Sequence, residues 1–169
     1  KGRCYWLKVY DIPEGARNTK GRAIQNMLNI EPGDNINAFV CVKNLNDAEF
    51  VGSHYVVFAT KNGVIKKTPL SEYSRPRTNG VIAININEGD RVVDVCLTNG
   101  ENEIIIANRS GNAIRFKESA VRAMGRTATG VKSMTLEGND EIVGMICIED
   151  PTAESVMVVS QKGFGKRSD

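Results

Sequence analysis

The stretch that decides the fold is Tyr55-Val-Val-Phe-Ala-Thr60, Lys61-Asn-Gly63, Val64-Ile-Lys-Lys67. It is an apolar run, a turn, and a second short run that ends in bases. Asn-Gly between β-branched runs is a strong hairpin signal. A polar loop carrying Arg75 and Arg77 follows, and Gly80 opens a third apolar run, Val81–Ile86. Glu88-Gly89-Asp90 then turns the chain into a fourth run, Arg91–Leu97. Together these make one four-stranded unit.

The unit recurs. Turn glycines Gly2, Gly63, Gly111 and Gly163 lie 61, 48 and 52 residues apart. A second set, Gly21, Gly80 and Gly130, follows the first three at offsets of 19, 17 and 19. An acidic turn is the third mark: Gly33-Asp34, Gly89-Asp90 and Asn139-Asp140. First strands are expected at Tyr55–Thr60, Glu103–Ala107 and Ser155–Ser160. Third strands are expected at Ala23–Ile30, Val81–Ile86 and Val131–Leu136, and fourth strands at Ile36–Val42, Arg91–Leu97 and Glu141–Ile148. Several runs are apolar throughout, as in strands buried on both faces. Helical character is confined to a single turn within Glu118–Met124, and Asn44–His54 and Thr98–Asn102 read as loops between blades. A four-stranded repeat of about 50 residues predicts an all-β, propeller-like fold in which each blade packs on its neighbours. The repeats span about 1–48 (partial), 49–98, 99–149 and 150–169 (partial). That is about three blades, too few to close a ring of 4–8, so the pattern expects more chain on one or both sides.

Bulk properties narrow the classes. The 169 residues carry a net charge of +2, which by itself selects no partner. No apolar run approaches the ~20 residues that span a bilayer, and no signal peptide opens the chain, so the reading is a cytosolic protein with no membrane partner. Cys4, Cys41, Cys96 and Cys147 have no metal-ligand spacing. The last three fall in matching strands and read as small buried residues of a reduced compartment.

The repeat sorts the charge. Windows holding a second strand and its following loop, 3–22, 64–82 and 112–132, contain 14 basic and 4 acidic residues; the windows between them (23–62, 83–111 and 133–162) contain 5 and 15. Matching positions of stacked blades lie on one side, so the bases are expected to form one band. Its members are Lys8, Arg17, Lys20 and Arg22; Lys66, Lys67, Arg75 and Arg77; Arg115, Lys117, Arg122, Arg126 and Lys132; and Lys166 and Arg167 of a fourth group. Thr19, Thr78, Asn79, Thr127 and Thr129 sit beside them. Cations, hydroxyls and accessible amides are the chemistry of phosphate contact. Tyr73 is the exceptional aromatic in these loops, which argues for duplex backbone rather than stacked single strands.

Catalytic chemistry is sparse. His54 is the only histidine, so no choice of bases surrounds a nucleophile. Gly163-Phe-Gly165 matches the repeat turn and no helix follows it, which argues against a phosphate cradle. Trp6 reads as packing. The acidic turns lie one repeat apart and suggest no shared metal. No catalytic residue, metal or cofactor is expected in these residues.

The segment Lys1-Gly-Arg-Cys-Tyr-Trp-Leu-Lys-Val-Tyr-Asp-Ile-Pro-Glu14, with Arg17 and Lys20-Gly-Arg-Ala-Ile24, resembles the C-terminal domain of the gyrase A protein, part of bacterial DNA gyrase. Thr60–Thr68, Gly125-Arg-Thr-Ala-Thr-Gly-Val131 and Gly163-Phe-Gly-Lys-Arg167 resemble later repeats of the same family. The resemblance implies a β-pinwheel, a six-bladed propeller variant that swaps strands between blades. Its basic rim, here the loops named above, would bend duplex DNA without sequence preference. It further implies a non-catalytic part of an ATP-dependent type IIA topoisomerase that introduces negative supercoils. ATP and Mg2+ would be handled by other domains, gyrase B would be a partner, and the setting would be bacterial, cytoplasmic and nucleoid-associated. The Q-R-R-G-G-x-G box of gyrase is absent from these residues, and the family's pattern puts it upstream of Lys1. The alternatives are the corresponding domain of topoisomerase IV and a propeller scaffold for protein partners.

Overall fold

The computed structural model describes residues 1–168. Its strands in chain order are β1 (Arg3–Cys4), β2 (Tyr55–Thr60), β3 (Val64–Pro69), β4 (Val81–Ile82), β5 (Val92–Thr98), β6 (Glu103–Asn108), β7 (Ala113–Lys117), β8 (Val131–Lys132), β9 (Ile142–Ile148), β10 (Val156–Val159) and β11 (Gly165–Ser168). One short helix, α1 (Ala48–Ser53), and four single 3-10 turns complete the order. The fold is all-β and propeller-like, as the repeat predicts.

Each blade is built around a hairpin. In blade 2, β2 pairs antiparallel with β3 on one side and β5 on the other. In blade 3, β6 sits likewise between β7 and β9. The hairpin turn at Gly63 has φ +83, which glycine adopts without steric cost. The acidic turns now have a structural role. Asn62 N–H donates to Asp90 Oδ1 at 2.9 Å, and Ser110 N–H donates to Asp140 Oδ1 at 3.2 Å. The Lys1 amine, one residue before Gly2, makes the same bond to Asp34 Oδ1 at 3.1 Å. The acid of each fourth strand therefore clamps the hairpin tip of its own repeat.

The third strands leave home. β8, from the third repeat, pairs with β3 of blade 2 through Ile65 and Val131. β4, from the second repeat, pairs with β1 of the first. The crossings are tight. A Cβ on Gly130 would lie 2.5 Å from the Ile65 carbonyl oxygen, and one on Gly80 would lie 2.6 Å from that of Cys4. Glycine recurs at this phase because backbone meets backbone there. At Gly21, where no preceding second strand is present among the described residues, nothing lies within 4 Å.

Two cores result, one on each face of blade 2. Val56 and Phe58 point into the first with Leu70, Tyr73, Val81, Ile84 and Val92. Val57 and Ala59 point into the second with Ile65, Ile104, Ile106 and Met145. This two-sided burial explains the unbroken apolar run that opens the unit.

Several expectations need correction. Ala23–Ile30 holds a 3-10 turn at Ile24–Asn26, and Ile36–Val42 is unpaired. Among the described residues, neither segment has the partner strand that its counterparts have. The third strands at Val81 and Val131 are only two residues long. Asn44–His54 contains α1, whose N-cap Asp47 accepts from Glu49 N–H and Phe50 N–H. Cys41 is exposed, and the other three thiols are half-buried.

Candidate nucleic-acid interface

The second strands and the loops after them supply the cations, and the swap divides these into two groups. The first group is interior. Lys66 and Lys67 are 0% and 6% exposed, so neither can reach a phosphate, and both leave the expected band. The reason is position: β3 is an interior strand, and its two faces are covered by neighbouring segments, Ala83 and Arg126 over Lys66 and Glu118 over Lys67. Lys66 Nζ donates to the Ala83 carbonyl oxygen at 2.6 Å and to that of Arg126. Ala83 belongs to the segment that crosses to blade 1, and Arg126 to the loop arriving from blade 3, so one ammonium fastens both crossings. Lys67 Nζ lies 3.3 Å from Glu118 Oε1 and 4.4 Å above the Tyr55 ring. Glu118 is fully buried and accepts from Thr98 Oγ1, Gly100 N–H and Asn102 N–H. The pair joins blade 2 to blade 3.

Tyr73 also moves inward. It is 3% exposed, and its hydroxyl donates to the Ala83 carbonyl oxygen at 3.1 Å. Burial pushes its phenol above the ordinary range. Trp6 packs at the first core and donates from Nε1 to the Tyr73 carbonyl oxygen at 3.1 Å. His54 stacks on Phe50 with ring centroids 3.9 Å apart, and its Nδ1 donates to the Phe50 carbonyl oxygen at 2.8 Å.

The second group faces outward. Lys8, Arg17, Lys20, Arg22, Arg75, Arg77, Lys117, Arg122, Lys132 and Lys166 are exposed. Arg115 is exposed and paired with Glu103. Arg167 is exposed and donates from Nε to Ser155 Oγ at 2.6 Å. Arg126 is half-buried, with Nε 3.6 Å from Glu72 Oε2.

The loops that carry Arg17, Lys20, Arg22, Arg75, Arg77, Arg122 and Arg126 are the crossovers themselves, and Lys117 and Lys132 stand on the strands that flank the third. Each loop contains a tight turn closed by one backbone bond: Thr19 N–H to Ala16 O, Gly80 N–H to Arg77 O, and Ala128 N–H to Gly125 O. The second and third loops are neighbours. Glu72, in the 3-10 turn that leads into the second, meets Arg126 of the third. Asn85, just past the second, donates from Nδ2 to the Thr127 carbonyl oxygen at 2.6 Å. These loops leave from the end of the second strand opposite the hairpin tips, where the acidic clamps sit. Charge is therefore separated along the strand direction as well as along the sequence.

Arg3 falls inside the first basic window but is not among the named members of the band. Its guanidinium donates to the carbonyl oxygens of Asn79 at 2.6 Å and Gly80 at 3.3 Å. It orders the second loop just after Arg75 and Arg77. The available signal was Arg3 standing at the phase of Val64, one residue past the turn glycine.

A family model described as "DNA gyrase C-terminal domain, beta-propeller" matches residues 1–43, 54–99, 102–149 and 154–169. The chain belongs to the DNA gyrase C-terminal domain family. It is 44% identical over 169 residues to the gyrase A protein of Salmonella typhimurium, and 42% identical over 168 residues to that of Staphylococcus aureus. Each alignment covers 99% of this chain and 18% of the relative, so the chain spans under a fifth of their length. The C-terminal domain of DNA topoisomerase IV superposes with a TM-score of 0.83 at 33% identity, covering 99% of this chain and 50% of that one. A DNA gyrase A C-terminal domain superposes at 0.77, covering 98% of this chain and 50% of that one, and at 23% identity it speaks for the fold alone. In this gyrase-type domain, the match boundaries at 54, 102 and 154 fall just before the first strands β2, β6 and β10.

Proposed function

We propose that this chain is a duplex-DNA-binding module of gyrase A type, holding phosphates on its crossover loops without reading sequence. The observation that carries the reading is the adjacency of the second and third loops through Glu72 and Arg126. Cationic crossovers that touch from blade to blade offer a track longer than any one loop. Arg75, Arg77 and Arg122 are the central contacts, flanked by Lys117, Lys132 and Arg126. Arg17, Lys20 and Arg22 extend the track toward the first repeat, and Lys166 and Arg167 toward the fourth. In the intact enzyme, DNA bent over this track would feed strand passage. Cleavage, ATP and Mg2+ would be handled by other domains and by gyrase B, in the bacterial cytoplasm.

The test is binding to a duplex of about 40 base pairs at several salt concentrations. The expected log–log slope is ~0.9 per phosphate contact, and the same for unrelated sequences. A flat salt response, or affinity unchanged after charge reversal of Arg75, Arg77, Arg122 and Arg126 together, would refute the reading.

A further inference from the structure

All four cysteines are free thiols. Cys4 belongs to the first core, where burial pushes its thiol up to about 11, and Cys41 is exposed. Cys96 and Cys147 differ from both. They stand on β5 and β9, the fourth strands of neighbouring blades, and both pack against the second core. These two strands approach within 8 Å, Cα to Cα, closer than the ~10 Å between ordinary stacked sheets.

The repeat explains how they meet. Cys96 is six residues past Asp90, whereas Cys147 is seven past Asp140. A step of one residue turns a side chain to the opposite face of a strand. In register, Cys96 lies opposite Val57 of β2 and Cys147 opposite Ile104 of β6. Val57 and Ile104 both belong to the second core, which lies between the two blades. Two cysteines at one shared phase would point the same way around the assembly and never meet. The offset turns both of them into the same interface between the two blades.

We propose that Cys96 and Cys147 form a reversible modification site, a disulfide that staples blade 2 to blade 3 when the chain meets a thiol oxidant. Disulfides span Cα separations of about 4.4–6.8 Å, a range within reach of strands this close. The interaction between the two thiols holds Cys96 below its ordinary range and Cys147 above its own. Cys96 is therefore the attacking sulfur. With glutathione disulfide, the Cys96 thiolate displaces one glutathione thiolate and forms a mixed disulfide. That thiolate takes the Cys147 proton, and the Cys147 sulfur then attacks Cys96 and releases the second glutathione. Two protein thiols are oxidised and one glutathione disulfide is reduced to two thiols. In a reducing compartment the dithiol is the resting form and the bond is transient, as in a redox sensor.

The experiment uses the whole chain, reduced, exposed to glutathione disulfide, alkylated, and digested with trypsin without reductant. Peptides 92–109 and 133–162 are expected as one species two hydrogens lighter than their sum, with Cys4 and Cys41 alkylated. The oxidised chain should melt at a higher temperature than the reduced one. Cys147→Ser should instead accumulate a glutathione adduct on Cys96 and show no rise in melting temperature. The proposal is overturned if both thiols are recovered alkylated, or if the linked peptides come only from covalent dimers. Linkage to Cys4 or Cys41 in comparable yield, or an oxidised chain that melts lower, would overturn it equally, since each means the bond formed outside the native packing.

Discussion

Lys66 places an ammonium between two blades where, among the described residues, only carbonyl oxygens are in hydrogen-bond contact. Burial, reinforced by the nearby Arg126 guanidinium, pushes it down from its ordinary value to about 8. In the unfolded chain the same group keeps its proton up to ~10.4. Between those values the unfolded state binds more protons, so folded stability rises with pH through that window. Replacing Lys66 with Met removes this contribution. Unfolding free energies of the two proteins from urea titrations, taken at about pH 7.5 and about pH 9.5, should diverge in favour of the unsubstituted chain by about 2 kcal/mol. Parallel pH profiles would mean that the ammonium is hydrated. At this scale the sequence was only half informative. Lys66 and Lys67 share the repeat phase of the exposed bases, and nothing in composition distinguishes them from Arg75 and Arg77. Burial came from remote segments: Arg126, whose carbonyl oxygen Lys66 holds, lies 60 residues along the chain, and Glu118, the partner of Lys67, lies 51. No local pattern encodes a partner that remote.

The elements depend on those exchanges, and glycine records where they happen. Gly111 and Gly130 both have positive φ, +89 and +115. A Cβ on Gly111 meets open space, whereas one on Gly130 meets the Ile65 carbonyl oxygen and Val64 Cγ1 at 2.5 and 2.7 Å. Gly111→Ala should cost about 1–2 kcal/mol, the backbone strain alone. Gly130→Ala should cost roughly 3 kcal/mol or more, because β8 must shift off β3. Equal losses in chemical denaturation would show that the crossing can give way without penalty. The other link between blades is electrostatic. Glu118→Ala leaves Lys67 buried and unpaired and three further donors without an acceptor, a loss of roughly 3–5 kcal/mol. Lys67→Met combined with Glu118→Ala should destabilise by less than the sum of the single changes, and simple additivity would deny the coupling. Hairpins, turn glycines and acidic turns were legible because each is a local chemical signal. The helix α1 was not, since six residues are too few to display a helical period. The unpaired segments at Ala23–Ile30 and Ile36–Val42 were misread for the opposite reason: β-composition cannot reveal whether a partner strand is present.

At the scale of the whole molecule, the repeat phase of the charge was legible before the geometry, and the swap gives it direction. Acids clamp hairpin tips, while bases ride the loops that carry each third strand to the preceding blade. If these loops form one track, DNA should register them as a sum. Charge reversal of Arg75 and Arg77 removes two candidate contacts, so the salt slope should fall by up to ~2, with affinity lost evenly across sequences. Reversal of Arg122 and Lys132 should lower it by a similar amount, and the two losses should add. Lys66→Met and Lys67→Met provide the internal control. They weaken the joints between blades and remove no exposed charge, so the slope should hold wherever the protein remains folded, as judged by the Trp6 emission that reports on the first core. Three outcomes are separable in one titration series. Additive losses in the two loops with a silent interior describe a continuous rim. Loss confined to one loop describes a local anion site, with the neighbouring cations left as solvated surface. A slope that falls with the interior lysines instead would mean that DNA reads the angle between blades rather than their outer edge, and the continuous rim would have to be abandoned.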